Sequence, residues 1–138
     1  MRRLIALAAI ALAVAACSSQ SDTPDNLGAI QFIQEHRGGQ EVTVEGTVAK
    51  VLPPSTSSTG EHERFLLDVH TGTGDEQLIL VAHNTDIAPE APVSADDDVI
   101  VRGVLELDAG GPVIHWTHHD PAGRHLNGWI KAHGQTYE

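Results

Sequence analysis

The stretch EVTVEGTVAKVL, residues 41–52, decides the fold because its apolar residues alternate and then change phase. Valine or glycine occupies every second position from Val42 to Val48, and the apolar pattern resumes out of phase at Val51. Alternation with a period of two indicates a strand with one buried face. A change of phase beside a strand glycine, here Gly46, indicates a β-bulge or a sharp bend. We therefore predict a bent first strand.

The rest of the chain adds four further strand-like segments, separated by turn residues. They are Arg64–Val69, Gln77–Ala82, Asp98–Leu107 and Pro112–Thr117. We predict a polar loop at 53–60 (PPSTSSTG) and an irregular insertion at 84–95, which contains two prolines. Three strands, an insertion and two strands follow the order of a five-stranded Greek-key OB-like barrel, so the fold class is mainly β. An open meander or a small sandwich is the alternative, but it would leave strand edges exposed.

Short segments flank the predicted barrel. Asn26 is predicted to cap a short N-terminal helix that carries Leu27, Ile30 and Ile33 at helical spacing and stops at Gly38-Gly39. From His118 onward the chain is polar, and we predict an irregular C-terminal tail that only Trp129 and Ile130 hold in place.

The N-terminus has the features of a bacterial lipoprotein signal. Two arginines precede an apolar run, Leu4–Val14, that is too short to span a hydrocarbon core of about 30 Å. Val14-Ala15-Ala16-Cys17 resembles the lipoprotein box, whose cysteine receives a lipid before cleavage. We predict a signal peptide at 1–16, lipidated Cys17 with a flexible tether at 17–26, and one domain at 27–138. A plain secretory peptide with an idle Cys17 is the alternative.

These features predict a protein of the bacterial cell envelope, anchored to the membrane by lipid on Cys17 and facing the periplasm or the exterior. The chain has one cysteine, so it forms no internal disulfide. Loss of Arg2 and Arg3 would leave six Lys and Arg against 19 Asp and Glu, and would change the formal net charge from −11 to −13. Such a charge repels nucleic acid and anionic lipid but is compatible with cations. We therefore expect no nucleic-acid partner.

Four of the nine histidines lie in IHWTHHDP, residues 114–121, and in GRH, residues 123–125. In an OB barrel the start of the second strand, the end of the third and the end of the fifth meet at one rim. This topology would bring together His62, His83, His115 and His118. Asp86 and Asp120 could add carboxylates at the same rim.

Convergent imidazoles with one or two carboxylates suit a divalent transition metal, and zinc is our prediction. The predicted metal ligands are drawn from His62, His83, His115, His118, Asp86 and Asp120. His119 and His125 are candidate acid–base groups, and Arg124 could bind an anionic substrate. Metal-assisted hydrolysis of a phosphoester-like substrate is one hypothesis. The alternative is a non-catalytic module: a metal carrier, a sensor or a partner-binding barrel with a structural histidine network.

Three histidines (His36, His70 and His133) are isolated in the sequence, and we interpret them as surface residues. Trp116 and Trp129 are interpreted as core residues, with an aromatic wall of a binding cleft as the alternative.

Several segments resemble a bacterial family of small exported proteins, DUF3465. They are HERF (62–65), AHNTDIAP (82–89), GGPVIHWTHHDP (110–121) and GRH (123–125) through GWI (128–130). The resemblance extends from Glu41 to Tyr137. This family is defined as a domain of unknown function, so the resemblance implies no mechanism. The Ser/Thr-rich loop before His62 and the position of His133 depart from the family pattern.

Overall fold

The computed structural model describes residues 22–138, so the predicted signal peptide and Cys17 lie outside the described residues. Within this range no helix is long and apolar enough to cross a membrane. The elements are α1 (Asn26–Gln34), β1 (Gln40–Ser57), β2 (Gly60–His70), β3 (Glu76–Asn84), β4 (Asp98–Asp108), β5 (Gly111–His115), β6 (Trp129–Ala132) and β7 (Gln135–Tyr137).

Strands β1 to β5 close into a barrel. Their order is β1-β2-β3-β5-β4, and β4 pairs back with β1. Every pair is antiparallel except β3 with β5, where Leu80 aligns with Val113. A closed five-stranded ring with parallel third and fifth strands is the OB arrangement, so the predicted fold is confirmed. Alternating residues of all five strands fill its interior, among them Val44, Phe65, Val81, Val101 and Ile114, each fully buried.

The predicted bend of β1 is present. The pairing of β1 with β2 shifts register between Val48 and Lys50, which leaves Ala49 as an extra residue. At Gly46 an added Cβ would lie 2.3 Å from the carbonyl oxygen of Asp68. This backbone approach admits only glycine, and it explains the break in the alternating valines.

The predicted loop at 53–60 is wrong, because most of it belongs to a long hairpin. β1 continues to Ser57, and β2 starts at Gly60. A second register shift lies between Leu52 and Ser55, so the two prolines sit in a bulge where strand pairing does not need their missing N–H. The carbonyl of Pro53 accepts hydrogen bonds from Nε and Nη2 of Arg64 at 3.1 and 3.0 Å. His62 therefore lies within β2, not before it.

Helix α1 forms where predicted, but its caps differ from the predicted ones. The Asp25 side chain accepts the N–H of Gly28 and caps the helix. The Asn26 side chain instead bonds to the backbone of Glu45 and His70, on β1 and β2. The helix ends before the glycine pair, because His36 adopts a positive φ of 55° and closes a Schellman-type turn.

The C-terminal tail is more regular than predicted. β6 pairs with β4, with Ile130 opposite Val101, and β7 completes a hairpin with β6. His133 and Gly134 both have positive φ, as the favoured two-residue hairpin turn requires. Trp129 on β6 is buried as expected, whereas Trp116 is 37% exposed, so its interpretation as a core residue is wrong.

Candidate functional site

The predicted rim contains two environments, because adjacent residues of a strand point to opposite faces. Glu63 on β2 lies opposite His83 on β3, and both lie on the face of Phe65 and Val81, inside the barrel. His62 lies opposite Asn84, one position along, on the outer face. The topology thus brings the predicted segments together, but strand alternation separates His83 from His62.

The interior histidine has both ring nitrogens bonded. His83 Nε2 is 3.0 Å from the Pro89 carbonyl oxygen, which can only accept, so Nε2 carries the proton. Nδ1 lies 2.8 Å from Thr117 Oγ1 and accepts that hydroxyl proton. Burial holds the pKa of His83 below its ordinary value, and the nearby His118 and His62 lower it further. A neutral, fully bonded imidazole has no lone pair left for a metal in this arrangement.

Glu63 accompanies His83 and was not predicted as a site residue. Its carboxylate accepts the backbone N–H of Ala91 at 2.6 Å, and Oε1 lies 4.0 Å from His83 Nε2. Burial raises the pKa of Glu63 to about 7, although the Ala91 hydrogen bond acts against this shift. Glu63 and His83 together hold the segment between β3 and β4 against the end of the barrel.

The outer face carries a cavity of about 240 Å³ beside the ends of β3 and β5. Ala82 contributes an apolar part of its wall. The principal residues that line it are His62, Ala82, Asn84, His115, Trp116 and His118. Three of the six predicted metal ligands therefore border a single cavity.

Two of these histidines use the same ring nitrogen to bond backbone. His62 Nδ1 is 3.1 Å from the Gly60 carbonyl oxygen, and His118 Nδ1 is 2.6 Å from that of His119. A carbonyl oxygen only accepts, so Nδ1 carries the proton in both rings. In the neutral form of each ring, Nε2 therefore keeps its lone pair. A backbone carbonyl on the remote ring nitrogen is the usual support of a metal-binding histidine.

The third histidine of this cavity is turned by the end of β5. The strand stops at His115, and Trp116 has a positive φ of 57°, an unusual conformation for a bulky residue. A continuing strand would place His115 and His118 on opposite faces, and this turn lets both border the same cavity. His115 Nε2 lies 3.8 Å from Asp108 Oδ2, and its side chain is about one-third exposed.

The two predicted carboxylates organise loops. Asp120 accepts the N–H groups of Ala122, Arg124 and His125. Burial opposes the charged form of Asp120, but these three N–H groups outweigh it and lower its pKa to about 2. Asp86 accepts the N–H of Glu61 at 3.1 Å and so ties the segment after β3 to the start of β2.

The three predicted catalytic residues lie in the loop from 116 to 128. Arg124 Cζ lies 5.8 Å from the centre of the Trp116 ring, and the His125 ring lies 4.6 Å from it. Both residues line a second cavity, of about 380 Å³, which shares Trp116 with the cavity of about 240 Å³, the outer cavity. The buried His125 Nε2 lies 3.5 Å from Asp120 Oδ2 without a hydrogen-bond partner in the described chain. His119 is exposed and contributes its carbonyl to His118.

Throughout residues 22–138, no group of three or more His, Cys, Asp or Glu side chains is arranged to hold a metal ion. His62, His115 and His118 share a cavity without converging on one point. The predicted zinc site and the predicted hydrolysis both stay predictions.

The histidines interpreted as surface residues lie away from this rim. His70 and His133 line another cavity, of about 560 Å³, near the start of β4. Both face carboxylates: His70 lies 3.5 Å from Asp68, and His133 lies 3.0 Å from Asp97. His36 lies two residues after the end of α1, at the positive-φ position that closes its C-terminal turn.

Three residues of the rim were not predicted as site residues: Glu63, Thr117 and Asn84. Glu63 and Asn84 sit next to predicted site histidines, and the alternation of β2 and β3 could have assigned them to opposite faces. Strand alternation could not have assigned Thr117 to a face, because the turn at Trp116 decides where its side chain points.

One solved structure with a similar chain is that of the small single-stranded DNA-binding protein from Streptomyces coelicolor. The two chains are 22% identical, with a TM-score of 0.47, over 56% of this chain and 86% of that one. No curated protein sequence matches the chain significantly. The sequence model of a family described as "Protein of unknown function (DUF3465)" matches residues 9–138. The chain therefore belongs to the DUF3465 family.

Proposed function

We propose that this protein is a lipid-anchored domain of the bacterial cell envelope that binds one divalent transition metal ion, with zinc preferred. The ion binds in the outer cavity, and His62, His115 and His118 supply the nitrogen ligands. Imidazole nitrogen suits zinc, copper and nickel better than calcium or magnesium. Cys17 carries the lipid, as its position after Val14-Ala15-Ala16 suggests.

One observation carries the metal proposal. Both His62 and His118 donate Nδ1–H to a backbone carbonyl and keep the Nε2 lone pair, and both line the same cavity. Metal binding then requires His115, which is partly exposed, to turn from Asp108 toward the cavity. His83 is left out of the ligand set because its hydrogen bonds occupy both ring nitrogens.

A non-catalytic role fits this arrangement better than hydrolysis. Arg124 and His125 do not line the outer cavity but border the second one, although the His125 ring lies 6.2 Å from that of His118. Asp120 uses its carboxylate to order the loop. The protein is therefore proposed as a metal carrier or sensor.

The test is calorimetric titration of the chelator-treated protein with zinc, followed by copper and nickel. Wild-type protein is expected to bind one zinc ion, and His118→Ala to lose at least about tenfold in affinity. His70→Ala is the matched control, because His70 is an exposed histidine at the far end of β2 and should leave the affinity unchanged. Absence of stoichiometric binding of all three metals, or equal affinity in His118→Ala, would contradict the proposal.

A further inference from the structure

The start of the described chain is fastened to the barrel and is not a free tether. Asp22 forms an ion pair with Arg102 on β4. The Asp25 N–H donates to the Thr43 carbonyl at 2.8 Å, and the Asn26 side chain donates to the His70 carbonyl at 2.7 Å. The predicted flexible tether at 17–26 therefore ends before Asp22, the first described residue in contact with the barrel. Only residues 18–21 lie between Cys17 and Asp22.

This short connection limits how far the barrel can move from a lipid on Cys17. Five peptide units span at most roughly 18 Å when fully extended. A domain of about 120 residues has a radius of gyration of about 14 Å, so the connection is shorter than the domain is wide. The face of the barrel that carries Asp22 must therefore stay close to the membrane.

The loop from 116 to 126 lies on that same face. Arg102, Val104 and Glu106 alternate with the buried residues of β4 and so share its outer face. Asp22 is ion-paired with Arg102 on this face. Val104 and Glu106 line a cavity together with three residues of the loop, Trp116, Arg124 and His125.

Glu41 on β1 links the two regions. It lines one cavity with Thr23 and another with Trp116 and Arg124, and its carboxylate accepts the N–H of Leu126 at 3.0 Å. The first described residues and the loop are therefore neighbours on one surface.

The loop has the composition of a membrane-contact surface. Trp116 is 37% exposed and Leu126 46% exposed. Its one acidic residue, Asp120, is buried and bonded to the loop backbone. Indole rings favour the headgroup region because one edge is polar and the body is apolar. Glu41 and Glu106 line the same cavity as Arg124, so the surface has no excess of positive charge that would select anionic lipid.

We propose that the loop from 116 to 126 rests on a zwitterionic phospholipid surface, with Trp116 and Leu126 inserted at headgroup depth. This inference rests on the lipid anchor at Cys17 and is independent of metal binding. The tether supplies a high local concentration of membrane, so two apolar side chains suffice to hold the loop there.

The two tryptophans make the test direct, because Trp116 is exposed and Trp129 is buried. The chain from Cys17 onward contains every helix and strand described, and its single cysteine can be coupled to a maleimide phospholipid in phosphatidylcholine vesicles. Brominated lipids quench tryptophan within the bilayer. Tryptophan emission of the coupled protein is expected to fall and shift to the blue, and Trp116→Phe, which leaves only Trp129, to abolish both changes.

Leu126→Ser is expected to reduce the quenching, and Leu78→Ser is its matched control. Leu78 is equally exposed, at 47%, but lies on the first half of β3, away from the loop. Unquenched Trp116 in the coupled wild type would overturn the inference and would instead favour a protein partner for this surface. Equal quenching in Trp116→Phe would overturn it as well.

Failure of the anchor is measured separately. Mass spectrometry of the native protein reports whether Cys17 carries acyl chains, whereas the maleimide-coupled chain reports the orientation of the barrel whatever the native modification. An unmodified native Cys17 would therefore refute the anchor, and an unquenched Trp116 would refute the orientation.

Discussion

His83 and His62 lie one register position apart at the same rim, yet the fold places their rings in different hydrogen-bonding environments. His83 points into the barrel, where Thr117 and Pro89 bond both of its nitrogens. His62 points outward and bonds backbone through Nδ1 alone. The inner histidine thus contributes to stability, whereas the outer one keeps a nitrogen for a ligand. Histidine density in a sequence does not distinguish these roles, because strand direction decides them.

The inner position should respond most strongly to truncation. His83→Ala removes a fully buried ring and leaves the Pro89 carbonyl and Thr117 hydroxyl without partners. We expect the free energy of unfolding, measured by urea denaturation, to fall by about 3 kcal/mol. His70→Ala, on an exposed histidine, should change it by less than about 0.5 kcal/mol. A loss below about 1 kcal/mol in His83→Ala would remove the distinction between the two faces.

The inner face should also show a smaller, pH-dependent effect. The pKa of Glu63 is raised from 4.5 to about 7. Its ionisation therefore lowers the free energy of unfolding progressively as pH rises between these values. The pKa of His83 is lowered from 6.5, so stability from its neutral form is lost as pH falls below that value. In the wild type, the contributions of Glu63 and His83 to the pH dependence of the free energy of unfolding therefore have opposite signs.

Glu63→Gln removes only the carboxylate contribution. Its free energy of unfolding relative to wild type should increase with pH from about 4.5 to 7 and level off above. Denaturation in the presence of a chelator measures this difference without interference from metal. Glu61→Gln, on an exposed residue of the same strand, is the control and should run parallel to wild type. A parallel Glu63→Gln profile would mean that the carboxyl is not held in its buried environment.

The outer position should give the smallest change in stability. His62→Ala leaves the core intact and should alter the free energy of unfolding by less than about 0.5 kcal/mol. The same variant should lose at least about tenfold in zinc affinity, because it removes one of three proposed ligands. Denaturation and calorimetry on one preparation separate the two effects. A stability loss comparable to that of His83→Ala would show that the two faces are equivalent.

Much of the barrel could be predicted from local patterns. The alternating valines of β1 and their change of phase beside Gly46 predicted the bend, and five strand-like segments in order predicted the closed barrel. The hairpin through Pro53 was missed because prolines and Ser/Thr residues usually mark loops, and only the bulge makes them compatible with a strand. The β6–β7 hairpin was missed although His133-Gly134 is a suitable turn pair, because its strands are only four and three residues long.

The sequence by itself determined which segments meet at the rim, because strand order and direction follow from periodicity and turn residues. Only the tertiary structure decided which face each side chain joins. The reversal at Trp116 directs Thr117 to the buried His83 and His118 to the outer cavity. That reversal is a backbone conformation of one residue, and the next residue, Thr117, bonds His83 on β3 and packs close to Gly103 on β4. No local pattern encodes these long-range contacts.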